Sequence, residues 1–137
     1  MMFRGFLKYY TYIFYKLYIW SQKVDSGTKL HELNATMMLS LVTIFNLATI
    51  PAVIQLITGY KTLAIVAIPK YYAALFALFM MAVNYGLLKR IGFKKIIQEF
   101  SNENTRQRNL GNVLVACYVI GSFIFLAASF FLIANRD

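Results

Sequence analysis

His31, Glu32 and Cys117 are the side chains of this 137-residue chain best suited to acid-base, metal or nucleophilic chemistry, yet their spacing serves none of these. Adjacent helical positions lie about 100° apart, so His31, the only histidine, and Glu32 point to different faces and do not form a ligand pair. Cys117 is the only cysteine and sits in an uncharged stretch, which rules out an intrachain disulfide or a multi-cysteine metal site; a small packing residue is the simpler reading. Gly-Lys-Ser and Gly-Lys-Thr phosphate loops, His-Glu-x-x-His helices and Gly-x-Ser-x-Gly elbows do not occur. The sequence therefore offers no catalytic, cofactor-binding or metal-ligating set, and the expectation is a protein that is not an enzyme and carries no cofactor.

The polar groups left for other work sit in long apolar stretches. Leu110 to Ala134 runs twenty-five residues without a charge. About 20 helical residues cross a hydrocarbon core of ~30 Å, and a helix satisfies its own backbone where water is absent. This segment reads as a transmembrane helix. Ala35 to Thr58 is a second uncharged stretch of sufficient length, with Pro51 inside it and Thr36, Ser40, Thr43 and Asn46 on one side. Such hydroxyls and amides more often bond to a neighbouring helix than line a pore. Pro69 to Leu88 is the third span, opened by a proline suited to a first helical turn and carrying Asn84 as its polar packing candidate. Between them, residues 59–68 read either as an interfacial loop, which is favoured, or as the start of one long kinked helix. The 60% apolar composition and mean hydropathy of +0.59 agree with three spans, which leave no segment long enough for a separate soluble core.

The flanking segments carry the charge. Residues 1–24 place Arg4, Lys8, Thr11, Tyr15 and Gln22 on one helical face, with Lys16 and Lys23 at its edge. Phe3, Phe6, Leu7, Tyr10, Ile13, Phe14, Leu17 and Trp20 occupy the other. Aromatic rings with polar tips and long cationic side chains suit the headgroup layer, so this helix is expected to lie along the membrane. Packing of the same face on the chain's own bundle or on a neighbouring subunit is the alternative. Residues 21–34 form a polar turn with Asp25, Ser26 or Thr28 as N-caps for the first span. In Lys89 to Asn109, Phe93, Ile96, Ile97 and Phe100 recur at helical spacing, predicting a short amphipathic helix continuing from the second span, followed by a polar turn.

A net charge of +9 is compatible with nucleic acid or anionic lipid, and the apolar composition decides for lipid, with no nucleic-acid partner expected. Of the fourteen Lys and Arg, five precede the first span and six lie between the second and third. The positive-inside rule then puts both regions in the cytoplasm and the C-terminus outside. Expected headgroup contacts are Arg4, Lys8, Lys16, Trp20, Lys23, Lys89, Arg90, Lys94 and Lys95. The fold class is thus an all-α integral membrane protein: an amphipathic interfacial N-terminal helix (1–24) and a three-span domain (25–137), N-in and C-out.

Small residues give the spans a means of association. On the third helix Cys117, Gly121 and Ala128 form one row, while Gly111, Ser122 and Ser129 form another about 100° away, so two neighbours can approach closely. With no acidic residue or arginine inside a span, ion-coupled transport has little support. The expected function is that of a non-catalytic membrane subunit acting through helix association, as a homo-oligomer or within a larger membrane complex. The alternative is a homo-oligomeric pore-forming or membrane-perturbing effector of the toxin, holin-like or phage-defence kind. The run Phe14 to Trp20 ahead of several spans, together with Lys-Lys-Ile-Ile-Gln-Glu-Phe at 94–100, resembles small uncharacterised multi-pass bacterial membrane proteins. That resemblance implies a bacterial cytoplasmic-membrane location, and no activity or site residue.

Overall fold

A computed structural model describes residues 2–24, 27, 30–59 and 69–136. Five helices account for nearly all of them: α1 (Met2–Val24), α2 (His31–Thr58), α3 (Lys70–Ile91), α4 (Phe93–Phe100) and α5 (Thr105–Ala134), with no strand among the described residues. α2, α3 and α5 are each long and apolar enough to cross a membrane. At 1.5 Å per residue the 28 residues of α2 extend about 42 Å and the 22 of α3 about 33 Å.

Two spans begin earlier than their apolar composition predicts. α5 starts at Thr105 because Asn104 and Gln107 form a capping box: Asn104 Oδ1 accepts from Gln107 N at 2.8 Å, and Gln107 Oε1 accepts from Asn104 N at 3.4 Å. α2 starts at His31 with Leu30 as N-cap, whose side chain makes no cap bond. Asp25, Ser26 and Thr28, the expected caps, lie outside the described residues, as do residues 60–68. α2 closes on Gly59, whose positive φ of 72° suits a residue without Cβ, and Arg136 Nη1 donates to the last-turn carbonyl of Leu56 at 2.5 Å. The expected continuation of the second span into α4 is broken at Gly92, where φ is +100°.

α2 is the central element, packed against α5, α1 and α3. Tertiary contacts fix the directions. Ser21 meets His31 and Phe3 lines the same cleft as Ile50, so α1 runs back antiparallel along α2. Asn84 bonds Ser40, while Leu78 lies beside Ile44, making α3 antiparallel as well. α5 is parallel to α2, since Asn46 meets Tyr118 and Arg136 reaches Leu56.

The apolar core gathers at the end where α1 turns into α2 and α3 into α4. Phe14, Leu17, Leu88 and Ile96 are fully buried there, with Tyr15, Leu39 and Phe100 beside them. Phe14 stacks near Phe93 at 5.5 Å between centroids, and Phe100 meets Tyr12 edge-on at 5.1 Å and Tyr15 at 5.7 Å. Lys89, Arg90, Lys94 and Lys95 are exposed around the same end. Away from it the outward surfaces stay apolar: Leu75, Phe79, Phe123, Ile124 and Phe131 are all more than half exposed. Apolar area of that extent marks a surface to be covered by lipid or protein.

α1 departs from a helix free to lie along a membrane. Its middle, from Thr11 to Leu17, is largely buried because Phe100 of α4 lies over Tyr12 and Tyr15, while Phe14, against Phe93, and Leu17 turn into the core. Only toward its ends does it present exposed cations, at Arg4, Lys8 and Lys23.

Candidate functional site

Three groups of side chains hold the bundle together, and each joins elements distant in sequence. The first is a clamp where α1 crosses the start of α5. Lys16 Nζ bonds Glu103 Oε2 at 2.8 Å and approaches the Arg108 carbonyl at 3.4 Å. The Tyr12 and Tyr15 rings stand 5.3 and 5.7 Å from the ammonium and add cation–π attraction. Lys16 is 1% exposed. This overturns its expected place among the lipid-headgroup contacts, since an ammonium shut in by two rings and a carboxylate cannot reach a lipid phosphate. Burial acts to raise the Glu103 carboxyl, but hydrogen bonds from Lys16 and Tyr12 and the charges of Lys16 and Arg108 outweigh it and hold it below its ordinary value. Burial, then the bond to Glu103, pushes the Tyr12 phenol well up.

The second group is a relay inside the bundle. Tyr10 donates to Asn84 Oδ1 at 2.6 Å, Asn84 Nδ2 donates to Ser40 Oγ at 2.9 Å, and Ser40 donates to the Thr36 carbonyl at 2.7 Å. α1, α3 and α2 are thereby tied together by two buried polar residues predicted to pack, Ser40 and Asn84. Thr43 bonds back to the Leu39 carbonyl at 2.8 Å, and Asn46 Nδ2 donates to the Tyr118 hydroxyl of α5 at 2.6 Å. No buried side-chain nitrogen or oxygen lacks a partner among the described residues.

The third group is the pair of rows on α5. Gly111, Ser122 and Ser129 are buried, on the side of the helix packed against α2 and α1. Tyr12 lies so close over Gly111 that a Cβ there would collide with its hydroxyl. Cys117, Gly121 and Ala128 are exposed, and nothing lies within 4 Å of where a Cβ on Gly121 would stand. One row is thus used within the chain and the other faces outward.

The remaining cations expected at headgroups, Arg4, Lys8, Lys23, Lys89, Arg90, Lys94 and Lys95, are exposed, while Trp20 is half-buried beside Asn34 and Met38. His31 lies at the α1–α2 turn, 3.4 Å from Ser21 Oγ and edge-on to Tyr18. No cluster of three metal-ligating side chains occurs among the described residues.

Sequence reasoning did not single out Tyr10, Tyr12, Glu103 or Tyr118. Glu103 carried a usable signal, being one of five acidic residues in a strongly basic chain. The tyrosines carried none, because a buried phenol that bonds an amide looks in sequence like any interfacial aromatic. Against protein-family models, curated proteins and solved structures, the chain finds no match.

Proposed function

We propose that this chain is a non-catalytic integral subunit of the bacterial cytoplasmic membrane that works by helix association with a second copy or a larger membrane partner. The observation that carries the reading is the division of labour on α5: the Gly111 row is consumed inside the protomer, while Cys117, Gly121 and Ala128 remain outward with open space above Gly121. Within lipid the driving force for association is close packing, which small residues permit. The exposed cations at the α3–α4 end meet anionic headgroups.

Cys117 makes the test direct because the chain has no other cysteine. Mild oxidation of membranes holding the full chain should give a covalent dimer, and Gly121→Leu should reduce it at least several-fold by filling the contact. Absence of dimer at every protein-to-lipid ratio, or a yield unmoved by Gly121→Leu, removes this row as the interface.

The orientation proposed is N-in and C-out, from the charge asymmetry of the sequence and the exposed Lys89, Arg90, Lys94 and Lys95 at the α3–α4 end. A reporter fused after Asp137 is expected to be active only outside the cytoplasm. Cytoplasmic activity contradicts either the count of spans or their direction. A pore is the less supported reading, since the hydroxyls of Ser40, Thr43 and Thr49 are each already bonded to a carbonyl of α2 itself.

A further inference from the structure

A cavity of about 580 Å³ opens between the N-terminal half of α1, the middle of α2, the end of α3 and Tyr118 of α5. Its volume lies in the range of small-molecule sites, about 300–1,000 Å³. Phe6, Leu7, Ile13, Leu47 and Leu87 supply apolar walls, and Tyr10, Thr43, Asn46, Asn84 and Tyr118 bring polar groups to the lining, the Thr43 hydroxyl being bonded back to the Leu39 carbonyl. Those groups are not equivalent. Tyr10 and Asn84 are spent on the relay with Ser40. The Asn46–Tyr118 pair is not: the Tyr118 hydroxyl accepts from Asn46 Nδ2 and keeps its own proton to donate, while Asn46 Oδ1 stays open as an acceptor.

Charge narrows the ligand further. The chain has fourteen lysines and arginines, yet no charged side chain lines the cavity among the described residues. A phosphate or carboxylate there would be desolvated without a counter-charge, at a large cost. A bare hydrocarbon would leave the spare donor and acceptor unused. The chemistry that satisfies both is an uncharged lipid with a long apolar chain and a hydroxyl or carbonyl at its head. Asn46 is near the middle of α2, a depth that neutral lipids reach and charged headgroups do not; this depth rests on the membrane reading above, whereas the polarity of the site does not.

We propose that this cavity binds a neutral, long-chain lipid whose hydroxyl or carbonyl head bonds the Asn46–Tyr118 pair. The probe is a hexadecyl alcohol bearing a diazirine next to its hydroxyl, photolysed with the full chain in detergent micelles, where the outcome is independent of membrane orientation. Labelling is expected on the segments around Asn46 and Tyr118. Unlabelled hexadecanol should suppress it about tenfold more effectively than hexadecane or, at alkaline pH, palmitate. Tyr118→Phe keeps the ring and removes the donor, so it should cut the advantage of hexadecanol over hexadecane by about fivefold, the worth of one ordinary hydrogen bond. Label spread over the outward faces of α3 and α5, equal competition by palmitate or hexadecane, or an advantage unchanged in Tyr118→Phe would each overturn the site. The orientation reporter tests membrane insertion separately, so the two proposals can fail independently.

Discussion

Gly111→Ala is expected to destabilise the bundle by about 2–3 kcal/mol, although the same change at most exposed helical glycines is favourable. Removing glycine from a helix interior ordinarily gains up to about 1 kcal/mol. At Gly111 the added Cβ would run into the Tyr12 hydroxyl, with Tyr12 Cζ at 2.9 Å and Lys16 Cε at 3.0 Å. Those atoms cannot simply withdraw, because Tyr12 is held against Phe100 and Lys16 is held by Glu103. Gly86→Ala, in α3 and outside the proposed interface, meets nothing within 4 Å and serves as the control. Trp20, the only tryptophan, lies in α1 and reports its docking by fluorescence during denaturation in micelles. Two outcomes support the collision: opposite signs for the two alanine variants, and loss of most of the Gly111→Ala penalty in a Tyr12→Leu background. Equal effects at both glycines contradict it.

Lys16→Met is expected to cost about 3–5 kcal/mol, the usual result of leaving one partner of a buried ion pair alone. The Lys16 and Glu103 side chains are 2% and 12% exposed, so solvent screens their attraction little. Removing the demand for a counter-charge should restore most of the loss, and Lys16→Met with Glu103→Gln is expected to fall within about 1–2 kcal/mol of the parent. A double variant no better than the single one would show that Lys16 acts by packing its stem, not by its charge. The pair also sets a pH dependence. Because the folded state holds the Glu103 carboxyl below its ordinary value, the clamp contributes stability above the ordinary carboxylate range and loses it as pH falls through the lowered value. Denaturation followed by Trp20 should show that acid limb in the parent chain and a flatter one in Lys16→Met.

Both predictions concern α1, the element on which sequence and structure differ most. Of its expected apolar face Phe14 and Leu17 enter the core, joined by Tyr15, which periodicity puts on the polar face, and α4 forms where Phe93, Ile96, Ile97 and Phe100 predict it. What periodicity within one helix cannot express is that the apolar face of α4 docks beside that of α1 and covers Tyr15, while Tyr12, Tyr15 and Glu103 enclose Lys16. A lysine at the edge of an amphipathic helix has the same sequence signature whether it ends in water, at a phosphate or against a glutamate eighty-seven residues away. The rows on α5 divide in a similar way. Spacing alone identifies two, and only the neighbours of α5 decide that Gly111, Ser122 and Ser129 turn inward while Cys117, Gly121 and Ala128 turn out.

By itself the sequence determined the all-helical architecture and the three long apolar segments, because helix length and absence of charge are local properties that a span must satisfy residue by residue. Only the tertiary structure decided which polar groups meet: Tyr10 with Asn84, Asn46 with Tyr118, Lys16 with Glu103. Each pair joins residues more than seventy positions apart, and what brings them together is the order in which α1, α3 and α5 pack around α2. Many sequences with the same hydropathy profile share that profile without sharing that order.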